Sequence, residues 1–196
     1  MKVSATAVGV TALAALILGV IAASRLGEWA SEPAAPQGAA FSLIDHTGKR
    51  VSDRDFGSRY KLIFFGFTHC PDICPTTLYN VAQVMGLLGK EGARVVPLFI
   101  TVDPQRDTPA VLAQYVTQFH PSIVGLSGSK EEIRRVADGY HVYFAEVKSE
   151  QGDDYLMDHT ASTFLVAPDG GYRAIFVPGT PADAMAAAIR RHIETH

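Results

Sequence analysis

The sequence predicts an α/β sandwich, with a mixed central sheet, flanking helices and an added N-terminal hairpin. Two apolar runs, KLIFFGF (61–67) and ARVVPLFITVD (93–103), are nearly continuous, the pattern of strands covered on both faces. Helical spacing of apolar residues follows each run, so strand and helix alternate as they do around a partly parallel sheet. The composition, 47% hydrophobic and 19% charged, suits a globular domain with a full core.

FSLIDHTGKRVS (41–52) places apolar residues on either side of the turn His46-Thr47-Gly48-Lys49 and reads as a hairpin. After the strand 61–67, Pro75 fits the first position of a helix, where its missing N–H costs nothing. Leu78, Val81, Ala82, Met85 and Leu88 keep helical spacing, and Gly89 or Gly92 ends the helix. Pro97, inside the strand 93–103, points to an edge or a bulge. Asp107 or Thr108 caps the helix PAVLAQYVTQF (109–119). A short strand, IVGLSG (123–128), precedes SKEEIRRVADGY (129–140), a helix with a Ser129–Glu132 capping box. Three strands follow, HVYFAEV (141–147), STFLVAP (162–168) and YRAIFV (172–177), the last two joined by the turn Pro168-Asp169-Gly170-Gly171. Thr180 and Pro181 open a terminal helix to Glu194. A strand ending at Cys, a helix opening on Cys-Pro, a βαβ unit, a hairpin and a closing helix give the order of a thioredoxin-like fold with insertions, its parallel neighbours joined by right-handed crossovers.

Residues 5–24 carry no charge and are flanked by Lys2 and Arg25. As a helix they would span roughly 30 Å, the thickness of a bilayer core. Residues 1–25 are therefore expected to be an N-terminal membrane anchor, with a cleaved signal peptide as the alternative. The apolar run exceeds the usual signal core of about 7–15 residues, which favours the anchor. Residues 26–40, rich in Ala, Pro and Gly, read as a linker, and residues 41–196 as the folded domain, outside the cytoplasm. The net charge of −3 leaves no basic footprint for nucleic acid.

Cys70 and Cys74 are the only cysteines, and they stand where the first buried strand gives way to a helix. At a helix N-terminus the free N–H groups and the dipole stabilise a thiolate, so the pKa of Cys74 is expected to be lowered. The pair has three readings. A disulfide staple is the usual fate of two cysteines in an oxidising compartment, yet closing a loop of about five residues restricts the unfolded chain by only ~2 kcal/mol. Dithiol exchange normally uses two intervening residues, whereas Pro71, Asp72 and Ile73 make three. A soft-metal site for Cu(I) or zinc needs a further ligand.

Seven histidines are available. His46, His120, His141, His192 and His196 read as turn, cap or solvent-facing residues. His69 adjoins Cys70, and neighbours at a strand end point to opposite faces, so it turns away from the pair. His159, in YLMDHTASTFLV, is the better candidate. In thioredoxin-like proteins the segment just before that strand faces the cysteine pair, and the proline usual there is replaced by Ala161. A missing proline with a histidine two residues upstream moves weight from disulfide exchange toward a site of two cysteines and one histidine.

GFTHCPDICPTTL (66–78), TVDPQRDTP (101–109) and DHTASTFLVAPDG (158–170) together resemble the Sco/SenC family of membrane-anchored, thioredoxin-like copper proteins needed for cytochrome c oxidase assembly. The resemblance spans residues 37–195 and is specific because three separated blocks occur in the right order. It implies that one copper ion, Cu(I) or Cu(II), is bound by Cys70, Cys74 and His159. It also implies a metallochaperone for the dinuclear copper centre of cytochrome c oxidase subunit II. The alternative is a thiol–disulfide oxidoreductase that keeps the cysteines of subunit II reduced. A single-pass inner-membrane protein with its domain in the periplasm is the expected setting, and another copper carrier an expected partner. Metal uptake needs both thiols reduced, so a thioredoxin-like reductant is expected as well. The donor set by itself leaves zinc open.

Around these residues, Asp158 is a candidate for orienting an imidazole. Asp103, with Pro104, Arg106 and Asp107, forms a strand-to-helix turn on the rim of the thiols and reads as turn geometry, with a docking or supporting role as the alternative. Asp72 reads as a turn residue and Met157 as core. A peroxidase-like enzyme on the same fold is the weaker reading, because Thr68 is present but no arginine stands near Cys70 in the sequence.

Overall fold

β1 (Ser42–Asp45) and β2 (Arg50–Ser52) form the expected hairpin in a computed structural model that describes residues 38–148 and 155–195. The expected anchor and nearly all of the expected linker lie outside those residues. Among the described residues no helix is long and apolar enough to cross a membrane. The hairpin turn is made by Asp45, whose Oδ1 accepts from the backbone N–H groups of Thr47 and Lys49, and by Gly48, at φ 87°.

β3 (Tyr60–Gly66), β4 (Val95–Thr101) and β5 (Val124–Ser127) run parallel; β8 (Thr163–Val166) pairs antiparallel with β3, and β9 (Tyr172–Phe176) with β8. With the hairpin on β5, the mixed sheet has the order β2-β1-β5-β4-β3-β8-β9. β3 and β4 are buried at every position, as their unbroken apolar runs require. Pro97 is not at an edge: β4 lies between β3 and β5, and Pro97 pairs with Leu62 without a bulge. The proline is tolerated because β5 begins opposite Leu98, one residue later, so one side of β4 has no partner at Pro97.

Four helices cover the sheet among the described residues: α1 (Ile73–Leu88), α2 (Pro109–Val116), α3 (Lys130–Gly139) and α4 (Ala182–Glu194). α1 packs against α4, and α2 lies on β5. Phe65 faces Tyr140 at the end of α3, whereas Phe64 meets Phe99, which packs on Tyr115 of α2. α1 starts two residues before Pro75 rather than at it. Pro75 is still in the first turn, whose N–H groups have no partner within the helix. Gly89, at φ 55°, ends the helix. Thr108 caps α2 by accepting from the Val111 N–H, while Asp107 turns inward; Ser129 and Glu132 form the expected capping box on α3.

One strand escaped the sequence reading. β6 (Phe144–Lys148) pairs antiparallel with β7 (Tyr155–His159), and the two form their own sheet. Among the described residues four strands, not three, therefore follow α3. The polar stretch before Tyr155 hid β7, since only Leu156 and Met157 in YLMDH are plainly apolar.

Candidate metal centre

The strand β3 ends at Gly66, and the chain turns through Phe67–Asp72 into α1. Cys70 lies in this turn, with its N–H donating to the Phe67 carbonyl at 3.3 Å. It is half-buried, whereas Cys74, the second residue of α1, is fully buried. Both thiols are free. The Cys74 N–H donates to Cys70 Sγ at 3.4 Å, so the helix N-terminus points at Cys70 rather than at its own cysteine.

That reverses the expected charge distribution. Hydrogen bonding from the Cys74 side chain pulls the Cys70 thiol down to about 3, against its own desolvation, with help from His159 and the backbone N–H groups of Cys74 and Asp72. The same contact, together with burial, pushes Cys74 far above the ordinary thiol range. The pair is thus one thiolate, on Cys70, beside one buried thiol. Asp72 precedes α1 as its N-cap residue, with its carbonyl accepting from the Thr76 N–H, in keeping with a turn role.

His159, the last residue of β7, brings its Nε2 to 3.7 Å from Cys74 Sγ. Its Nδ1 donates to the Thr160 carbonyl at 3.1 Å, so Nε2 is the ring nitrogen that faces the thiols. Phe64 and Phe67 hold the ring edge-on, at 6.2 and 5.9 Å between centroids. The span of 3.7 Å is what two donors leave when each sits about 2.0–2.3 Å from one ion. Two sulfurs and one imidazole nitrogen form a soft donor set that suits Cu(I). Cys74 meets Cys70 through its N–H and His159 through its sulfur. Among the described residues no three His, Cys, Asp or Glu side chains stand close enough together to hold a metal ion without some movement.

Asp158 is exposed, and the carbonyl of Thr160 occupies the imidazole position that a supporting carboxylate would take. His69 is half-exposed and bonds to Thr68 Oγ1 through Nδ1. Met157 is buried in the core. Asp103 is buried and touches none of the three residues. It accepts from the Tyr155 hydroxyl at 2.9 Å and pairs with Arg106.

Two further residues shape the site, and of these Gly66 was not singled out from the sequence. A Cβ on Gly66 would stand 2.7 Å from Cys74 Sγ and 2.8 Å from the Phe99 ring, so only glycine admits the buried sulfur. The signal was an isolated glycine in an apolar strand, which marks close approach. Asp107, fully buried, accepts from the Thr68 N–H and hydroxyl at 3.0 and 2.6 Å and from the Thr101 hydroxyl at 2.6 Å. Burial raises its pKa, against the pull of those hydrogen bonds. It ties the cysteine loop to the end of β4.

A family model described as SCO1/SenC matches residues 30–194. Protein SCO2 homolog, mitochondrial, from Bos taurus is 43% identical over 155 residues, which cover 78% of this chain and 58% of that protein. The chain thus spans little more than half the length of such curated relatives. Arabidopsis thaliana ScoI, solved with copper bound, superposes with a TM-score of 0.76 at 38% identity, covering 81% of this chain and 99% of that one. BsSco, described as a member of the Sco family of cytochrome c oxidase assembly proteins and as holding a disulfide switch, superposes with a TM-score of 0.63 at 26% identity, covering 82% and 95%.

Proposed function

Because the chain belongs to the SCO1/SenC family, we propose that it is a copper metallochaperone of cytochrome c oxidase assembly, with copper as its cargo and Cys70, Cys74 and His159 as the ligands. The observation that carries this reading is the meeting of a remote imidazole with the dithiol: Nε2 of His159 stands 3.7 Å from Cys74 Sγ with Nδ1 already engaged. Partial exposure of Cys70 supports transfer, because an incoming ligand has access to that side of the site. The recipient is the dinuclear copper centre of oxidase subunit II, and another copper carrier supplies the ion. Residues 1–25 anchor the protein in the inner membrane and residues 26–40 hold residues 41–196 off it, on the periplasmic side.

The test uses the full-length chain. Reduced protein takes up one copper per chain; disulfide-bonded protein and the Cys70→Ser/Cys74→Ser variant take up none. Equal uptake by the double variant overturns the reading.

The asymmetry of the thiols favours a second reading, a thiol–disulfide oxidoreductase acting on subunit II. The Cys70 thiolate attacks a disulfide of the partner and releases one partner thiolate. Cys74 then attacks the mixed disulfide at Cys70, giving up its proton and releasing the second partner thiol. The protein leaves oxidised, and a thioredoxin-like reductant returns two electrons. His159→Ala separates the two readings: a chaperone loses tight copper binding and oxidase assembly, whereas a reductase keeps both disulfide exchange and assembly.

A further inference from the structure

His159 sits on a hairpin that shares no ladder with the main sheet. β6 and β7 pair only with each other among the described residues. The backbone bonds that fix the cysteines relative to β3 therefore do not fix the imidazole. The spacing between sulfur and nitrogen is left to the three residues that lead from β7 into β8, which pairs with β3, and to side chains.

The residues that do this gather in the turn between β4 and α2. At the start of β7, the Tyr155 hydroxyl donates to Asp103 Oδ1 at 2.9 Å. The Tyr155 carbonyl accepts from Arg106 Nη1 at 2.9 Å, and the guanidinium lies 3.7 Å from the centre of the Tyr155 ring. Arg106 Nε donates to Asp103 Oδ2, which fixes the plane of the fork. The same guanidinium reaches 5.9 Å from the centre of Phe67, the ring that holds His159 edge-on. Four residues along from Asp103, Asp107 holds Thr68, two residues before Cys70.

We propose that this turn is the positioning element of the site: Asp103 and Arg106 hold the histidine hairpin through Tyr155, Asp107 holds the cysteine loop through Thr68, and one turn thereby sets the distance between them. The cause is geometric; its consequence for copper rests on the function proposed above. Tyr155, Arg106 and Asp103 are positioning residues, since none touches the three ligands.

The test compares full-length wild type with Tyr155→Phe, which removes one hydroxyl, and Arg106→Lys, which keeps the charge and loses the fork. In the metal-free chain, amide hydrogen exchange should quicken at residues 155–159 in both variants and stay unchanged in β3 and β4. Cu(I) affinity, read by competition with a chelator, should fall in both variants. Thr68→Val should do the converse, shifting the reduction potential of Cys70 and Cys74 and leaving exchange at 155–159 as it was. Unchanged hairpin exchange in both Tyr155→Phe and Arg106→Lys overturns the proposal, as does faster exchange that extends to β3 and β4. Wild type that binds no copper sinks the proposed function instead, and hairpin exchange then decides the positioning role alone.

Discussion

Cys70 stays half-exposed while Cys74, one helical turn on, is sealed beneath Gly66. Burial penalises a charge on Cys74, and Cys70 collects the hydrogen bonds that stabilise one. A thiol is deprotonated above its pKa, so a strongly lowered pKa leaves Cys70 a thiolate throughout pH 5–8. Alkylation of Cys70 by iodoacetamide should accordingly be flat over that window, with Cys74 unreacted. An ordinary cysteine, at about 8.5, would gain roughly tenfold per pH unit there, and such a slope at Cys70 would refute the assignment. Gly66→Ala tests the packing beneath it. The added methyl cannot share space with Cys74 Sγ at 2.7 Å. We expect a loss of about 1–3 kcal/mol in urea unfolding, and weaker copper uptake from the displaced sulfur.

Helix ends and strand pairing explain where the elements begin and stop. The capping box on α3 satisfies donors that would otherwise be exposed, with the Glu132 N–H donating to Ser129 Oγ and the Ser129 N–H to Glu132 Oε2. Ser129→Ala should cost about 1 kcal/mol by urea denaturation; no measurable change would mean that packing of Ile133 and Val136 already fixes that end. Such signals are local, which is why α3, the β1–β2 hairpin and the buried strands were legible in the sequence. Pro97 and β7 were not. The effect of a proline depends on where the neighbouring strand starts, and β7 exists only because β6 pairs with it.

At the scale of the molecule, the candidate site joins three separate pieces of chain: the turn after β3, the end of β7 and the turn after β4. An ion held by Cys70, Cys74 and His159 would cross-link two of them in the native state alone, and binding to the native state stabilises it. Saturation with Cu(I) at about a thousand times its dissociation constant should add about 4 kcal/mol to the stability of the reduced full-length protein. At the same copper concentration His159→Ala should lose most of that increment. An equal gain in wild type and variant would place copper elsewhere.

The alternation of strands and helices, the caps and the position of the cysteine pair at a strand–helix junction were determined by the sequence itself, because each depends on residues a few places apart. Residue identity, with the family resemblance, also pointed to His159. Tertiary structure alone decided which sulfur carries the charge, which imidazole nitrogen faces it and what holds the imidazole there. Those outcomes depend on burial and on contacts between residues far apart in the chain, 85 positions for Cys74 and His159 and 52 for Asp103 and Tyr155, which no local pattern encodes.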